Sequence, residues 1–145
     1  MCDSEGGTPQ RGNEHCYFCY SASLRIFGVI DDLDEISNKL GLRPTHSHRR
    51  GEPRSPSSPH PFEHDMWVYD APVDEVEPLH IHIDALWNAL RPHRDYLLLL
   101  KQSLTVDVFL GYRSNSDTAG VEIPYQSLEI FMQLRLSLGL SIIVT

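Results

Sequence analysis

From Tyr17 the chain alternates. Phe18, Tyr20, Ala22, Leu24 and Ile26 share one parity, and Cys19, Ser21, Ser23 and Arg25 share the other. That two-residue period predicts a strand over 17–26 with one buried face. The spacing then changes. Leu33, Ile36 and Leu40 repeat at three and four, a single helical stripe. Asp31, Asp32, Asp34 and Glu35 fall at the start of this helix, where capping and the macrodipole favour acids. Gly41 supplies a left-handed stop, and Pro44 lies just beyond it.

Periodicity fades over residues 43–64, whose only large apolar side chain is Phe62. The expected course is a short strand over 45–50, a loop over 51–63 and a strand over 66–69. Leu79, Ile83, Leu86 and Leu90 restore a helical stripe. Pro92 either ends that helix near Leu90 or opens a new one in its first turn, and 93–101 reads as further helix. Leu104, Val106, Val108 and Leu110 alternate with Thr105, Asp107 and Phe109, predicting a second long strand. Residues 114–117 form a turn cluster, and 119–123 reads as the partner strand. Leu128, Phe131, Leu134 and Leu138 predict a helix ending at Gly139, followed by a strand over 140–144. The order β-α-β-β-α-β-β-α-β, with strand pairs joined by short turns, predicts an α+β domain: an antiparallel β-sheet packed by helices.

Composition limits the size and class. The chain has 145 residues, and its forty Leu, Ile, Val and Phe residues suffice for a single core. None of those forty lies in residues 1–14. That stretch reads as a flexible N-terminal arm preceding one domain over 15–145, and its removal is expected to leave stability unchanged. A net charge of −8 argues against nucleic acid as a partner, since phosphate binding needs clustered cations. The longest apolar run, Leu97 to Leu100, is far short of a bilayer span, and no secretion signal is recognised. A soluble cytoplasmic domain is expected, with no membrane contact and no cofactor.

The stretches Ser21-Ala22-Ser23-Leu24-Arg25-Ile26-Phe27-Gly28 and Leu40-Gly41-Leu42-Arg43-Pro44-Thr45 are followed by the Arg50-Gly51-Glu52 turn and Trp67. A helical region around His82 to Leu90 and a closing helix, Gly139 and an apolar strand complete a recognisable series. Taken in that order they resemble the bacterial family called domain of unknown function 4279, over about Tyr17 to Thr145. The resemblance implies a small cytoplasmic α+β domain. It implies no catalytic residue.

Candidate chemistry gathers in residues 43–64. Four arginines, four histidines and five prolines stand there against only Glu52 and Glu63. The segment carries +2 while the rest of the chain carries −10. Arg49, Arg50 and Arg54 are close in sequence, and guanidiniums so grouped can hold a carboxylate or phosphate through paired hydrogen bonds. The four histidines add charge as pH falls toward 6. Trp67 reads first as a core residue whose indole N–H needs one partner, and second as an aromatic platform beside the arginines. His46 and His48 would share one strand face and could chelate a metal, with His60 or His64, or Glu63 or Asp65, as a third ligand. Cys16 and Cys19 lie at the start of a strand, on opposite faces, and read as two half-buried thiols rather than a metal or redox pair. No nucleophile elbow, P-loop, dinucleotide fingerprint or H-E-x-x-H occurs.

The expectation is a non-enzymatic interaction domain, immunity-type or regulatory, that binds another protein through Arg49, Arg50, Arg54 and Trp67. The alternative is a metal-binding protein or metal-dependent enzyme using His46, His48, His60 and His64.

Overall fold

The computed structural model describes residues 16–116 and 120–145. The expected arm at 1–14 therefore lies outside the described residues. β1 (Phe18–Gly28) is followed by α1 (Leu33–Leu40), β2 (His46–His48), β3 (Pro53–Ser55), β4 (Ser58–Pro61) and β5 (Asp65–Asp70). Then come α2 (Leu79–Leu90), a 3-10 turn at Arg91–His93 and α3 (Arg94–Leu100). β6 (Thr105–Ser114), a 3-10 turn at Tyr125–Leu128, α4 (Glu129–Leu134) and β7 (Leu138–Val144) complete the chain.

Among the described residues five strands form one sheet in the order β2-β5-β1-β6-β7. β1 is its centre, antiparallel to both β5 and β6. The alternation along β1 sets the layering. Ala22, Leu24 and Ile26 are buried, and so are their neighbours Trp67 on β5 and Val106, Val108 and Leu110 on β6. The helices supply Ile36, Leu40, Leu79, Ile83, Leu86, Leu90, Leu97, Ile130 and Leu134 to the same core. One face of the sheet is thus covered by helices, and the other carries Arg25, Phe27, Asp107 and Phe109. This is a two-layer α+β domain. Leu86 and Leu134 are both fully buried. Replacing either by Ala is expected to cost about 2–5 kcal/mol in denaturant unfolding, whereas a change below ~0.5 kcal/mol would place that side chain at the surface.

α1 forms as its sequence dictates. Asp32 is the N-cap and accepts a hydrogen bond from the Asp34 N–H at 2.9 Å. Gly41 closes the helix at φ 65°. The acidic cluster is a helix start. Pro92 lies in the first turn of the 3-10 segment that joins α2 to α3, so the apolar stripe stops at Leu90 and resumes.

Four expectations need correction. Residues 51–63 are not simply a loop, since β3 and β4 pair as a two-stranded hairpin. Prolines 53, 59 and 61 sit within its strands, which is tolerated because a two-stranded ribbon has free edges on both sides. Residues 120–124 form no strand; β6 instead runs to Ser114 and finds its second neighbour in β7. The last helix stops at Leu134, where Arg135 takes φ 55°, so Leu138 and Gly139 belong to β7. Leu134 and Leu138 have helical spacing, but Leu138 pairs with Val108 instead. Finally, β7 runs parallel to β6, because the connection through α4 is a crossover rather than a tight turn.

Candidate functional site

Asp65, the first residue of β5, shares the buried face of Trp67 and is completely inaccessible. Its carboxylate is surrounded by donors. The Ile30 N–H donates to Oδ2 at 2.8 Å and the Arg50 N–H to Oδ1 at 2.8 Å. Arg50 Nη1 adds a charge-assisted bond to Oδ2 at 2.7 Å, and Arg49 Nε stands 3.5 Å from Oδ1. Arg49 Nη1 also donates to the Ile30 carbonyl at 2.8 Å. Burial alone pushes the Asp65 carboxyl up and is the largest influence. The amides of Arg50 and Ile30 and the two guanidiniums together outweigh it and hold the carboxyl below its ordinary value. Residues 49 and 50 are thereby pinned to the end of β1 and the start of β5.

On the helix-free face, β2 pairs with β5, so His46 lies beside Val68 and His48 beside Met66. His46 Nε2 and His48 Nδ1 are 3.0 Å apart. The Phe62 ring stacks on His48, with centroids 3.4 Å apart and planes 8° from parallel, leaving His48 buried. The Arg54 guanidinium lies over the other aromatic partner, 5.3 Å from the Phe62 centroid. His64 approaches Phe27 at 6.2 Å. The hairpin β3–β4 is therefore held against one margin of the sheet by a ring stack and by the Asp65 node. Arg43, Arg54 and His60 are exposed.

The proposed arginine trio is thus split. Arg49 and Arg50 turn toward Asp65, although their side chains stay 40% and 46% exposed, and only Arg54 points away from the node. Trp67 is fully buried and donates Nε1–H to Ser37 Oγ at 2.9 Å. It is a core residue and cannot serve as a partner-binding platform. Among the described residues no group of three or more His, Cys, Asp or Glu is placed to hold a metal ion; His46 and His48 bond to each other instead. Cys16 is exposed and disulfide-bonded, which corrects the reading of it as a half-buried thiol, while Cys19 is free and half-buried. Sequence reasoning also missed the pairing of Arg25 with Asp107 on the open face, at 2.8 and 2.7 Å. The Arg25 guanidinium lies 4.5 Å from the Phe109 centroid, so this cation is already satisfied.

Desolvation is the main reason that both His48 and buried His82 are pushed below the ordinary histidine value. His48 therefore takes up its proton only at lower pH than an ordinary histidine does, a weaker response to acid than its residue type suggests. The unfolded chain takes up these protons near pH 6.5, while the folded chain resists until lower pH. Stability from these groups is thus complete above about 6.5 and declines as pH falls toward the lowered values. Denaturation midpoints are expected to fall from pH 7 to pH 5, and less steeply in a His48→Gln, His82→Gln chain. Identical slopes in the two chains would contradict this assignment.

Among the described residues the fold is a two-layer α+β domain with one sheet face uncovered, and no helix is long and apolar enough to cross a membrane. The profile of the domain of unknown function DUF4279 matches residues 16–145, and the chain belongs to that family. Comparison with curated proteins and with solved structures gives no match.

Proposed function

We propose that the chain is a non-enzymatic binding domain that holds an acidic or phosphorylated group of another protein on the β3–β4 hairpin and its flanks. The observation that carries this reading is the fixing of residues 43–64. A buried carboxylate and a stacked histidine hold in place a proline-rich segment whose charge opposes that of the rest of the chain. A solvated linker needs neither device. On this reading Arg54 and His60 meet the partner directly. Arg49 and Arg50 position the hairpin and offer their remaining N–H groups at its base. The acidic remainder of the surface disfavours nucleic acid and other anionic surfaces. An immunity-type or regulatory role in the cytoplasm is the form that suits such a small binding domain.

Hydrogen exchange on the chain with and without its captured partner tests the placement. Protection is expected to rise in residues 49–64. Protection confined to the helical layer would overturn it.

The metal-binding alternative makes a separate demand on the same segment. Elemental analysis of untagged protein is expected to give the same metal content for the native chain and for His46→Ala, His48→Ala. Stoichiometric zinc or nickel lost in that variant would favour the alternative instead.

A further inference from the structure

We propose that β7 pairs with β7 of a second copy, antiparallel, joining the two five-stranded sheets into one. This rests on a different surface from the site above and stands or falls independently of it. Among the described residues β7 is the last strand of the sheet and pairs only with β6. Its outer row of N–H and C=O groups is a template for another strand. The opposite edge, β2, is three residues long, carries the histidine pair and is followed by the hairpin. β7 has seven residues and none of the usual protections: no lysine, no proline and no inward charge. Leu138, Ile142, Ile143 and Val144 are 45%, 62%, 52% and 54% exposed.

Three observations select a second copy as the occupant. The first is self-complementarity. A two-fold axis through Ser141, perpendicular to the sheet, sets Leu138 opposite Val144 and Leu140 opposite Ile142, each pair on the helix-covered side. On the open side it sets Gly139 opposite Ile143 and Ser141 opposite itself. All seven residues are used, each apolar residue on the helical side meets another, and the glycine leaves room for the isoleucine. Shifting the axis to Leu140 or Ile142 leaves two residues at one end of β7 without a β7 partner, and cross-strand apolar pairs are what stabilise a sheet.

Charge is the second observation. Residues 136–145 contain no ionisable side chain in a chain of net charge −8, so this edge lets two copies approach without setting like charges directly opposite. The third concerns the segment outside the described residues that could compete. Tyr17 N–H donates to Asn115 Oδ1 at 2.9 Å, and the Tyr17 and Thr145 hydroxyls are hydrogen-bonded. Tyr17 thus lies beside the end of β7. Residues 1–15 include no Leu, Ile, Val or Phe, and so cannot match the apolar side chains that a second β7 matches pair by pair.

Sedimentation equilibrium of the full chain tests the association. The native chain is expected to show a concentration-dependent mass rising twofold, and Ile142→Lys to remain at the monomer mass with an unchanged circular dichroism spectrum. The register is tested by cysteines introduced in a Cys19→Ser background. Ser141→Cys is expected to cross-link to itself under mild oxidation, because opposed residues bring their Cα atoms within disulfide reach. Ser137→Cys, opposite Thr145 in the partner, is expected not to. A native chain that stays monomeric at about 100 μM, an Ile142→Lys chain that still dimerises, or equal cross-linking at 137 and 141 would each overturn the proposal.

Discussion

Replacing Asp65 by Ala is expected to destabilise the domain by about 3 kcal/mol, although a surface aspartate at the end of a strand costs almost nothing to remove. The side chain is wholly inaccessible and receives the Ile30 and Arg50 amides as well as two guanidiniums. Removing it leaves two backbone donors without an acceptor, each worth roughly 1–3 kcal/mol where buried. Arg49 and Arg50 are nearly half exposed and can rehydrate, which keeps the loss near the lower end of the 3–5 kcal/mol typical of a broken buried pair. Asp65→Asn is expected to do little better. Its single carbonyl oxygen cannot take donors on both sides, and its amide would face an N–H.

The acid limb supplies a second readout. A carboxyl held below its ordinary value stabilises the fold fully above about pH 4 and loses that contribution as pH falls through the lowered folded value. The native chain is expected to lose stability below pH 4 more steeply than Asp65→Asn. Urea unfolding across that range checks both expectations, and a loss below ~0.5 kcal/mol for either variant would mean that the node is dispensable.

Trp67→Ala is expected to cost about 3–5 kcal/mol, the range for truncating a large aromatic in a core. The indole is fully buried, with its N–H on Ser37 of α1. Trp67→Phe keeps most of the volume but strands the serine hydroxyl, and is expected to cost about 1–2 kcal/mol. Partner affinity should survive in the Phe variant. An unfolding midpoint unmoved by Trp67→Ala would mean that the ring is not part of the core.

What could be read from the sequence followed period and punctuation. The alternation of β1, the stripes of α1 and α2 and the left-handed stop at Gly41 each depend on neighbours a few residues away, and all are present in the structure. β3 and β4 were hidden because four prolines within 53–61 argue against a strand unless it has a free edge. The strand over 140–144 was legible, but Leu138 and Gly139 looked like the end of a helix because Leu134 and Leu138 are four apart, and only the parallel neighbour β6 decides otherwise.

The site was legible only in outline. The charge contrast marked residues 43–64, but adjacency in sequence suggested that Arg49, Arg50 and Arg54 act together. Asp65 divides them, and its role had a signal: Asp65, Trp67 and Tyr69 share one parity, so the phase that buries Trp67 also buries Asp65. A carboxylate on a buried face needs cations, and the nearest in sequence are these arginines.

The role assigned to the hairpin is tested most directly by titrating the captured partner, at several salt concentrations, with the native chain and with an Arg54→Glu, His60→Glu chain. Both side chains are exposed and neither touches the Asp65 node, so the fold is expected to be intact by circular dichroism and thermal melting. Affinity should fall at least tenfold and its salt dependence should flatten, because a charge contact has become a repulsion. An affinity and a salt slope equal to those of the native chain would show that residues 43–64 only link two strands.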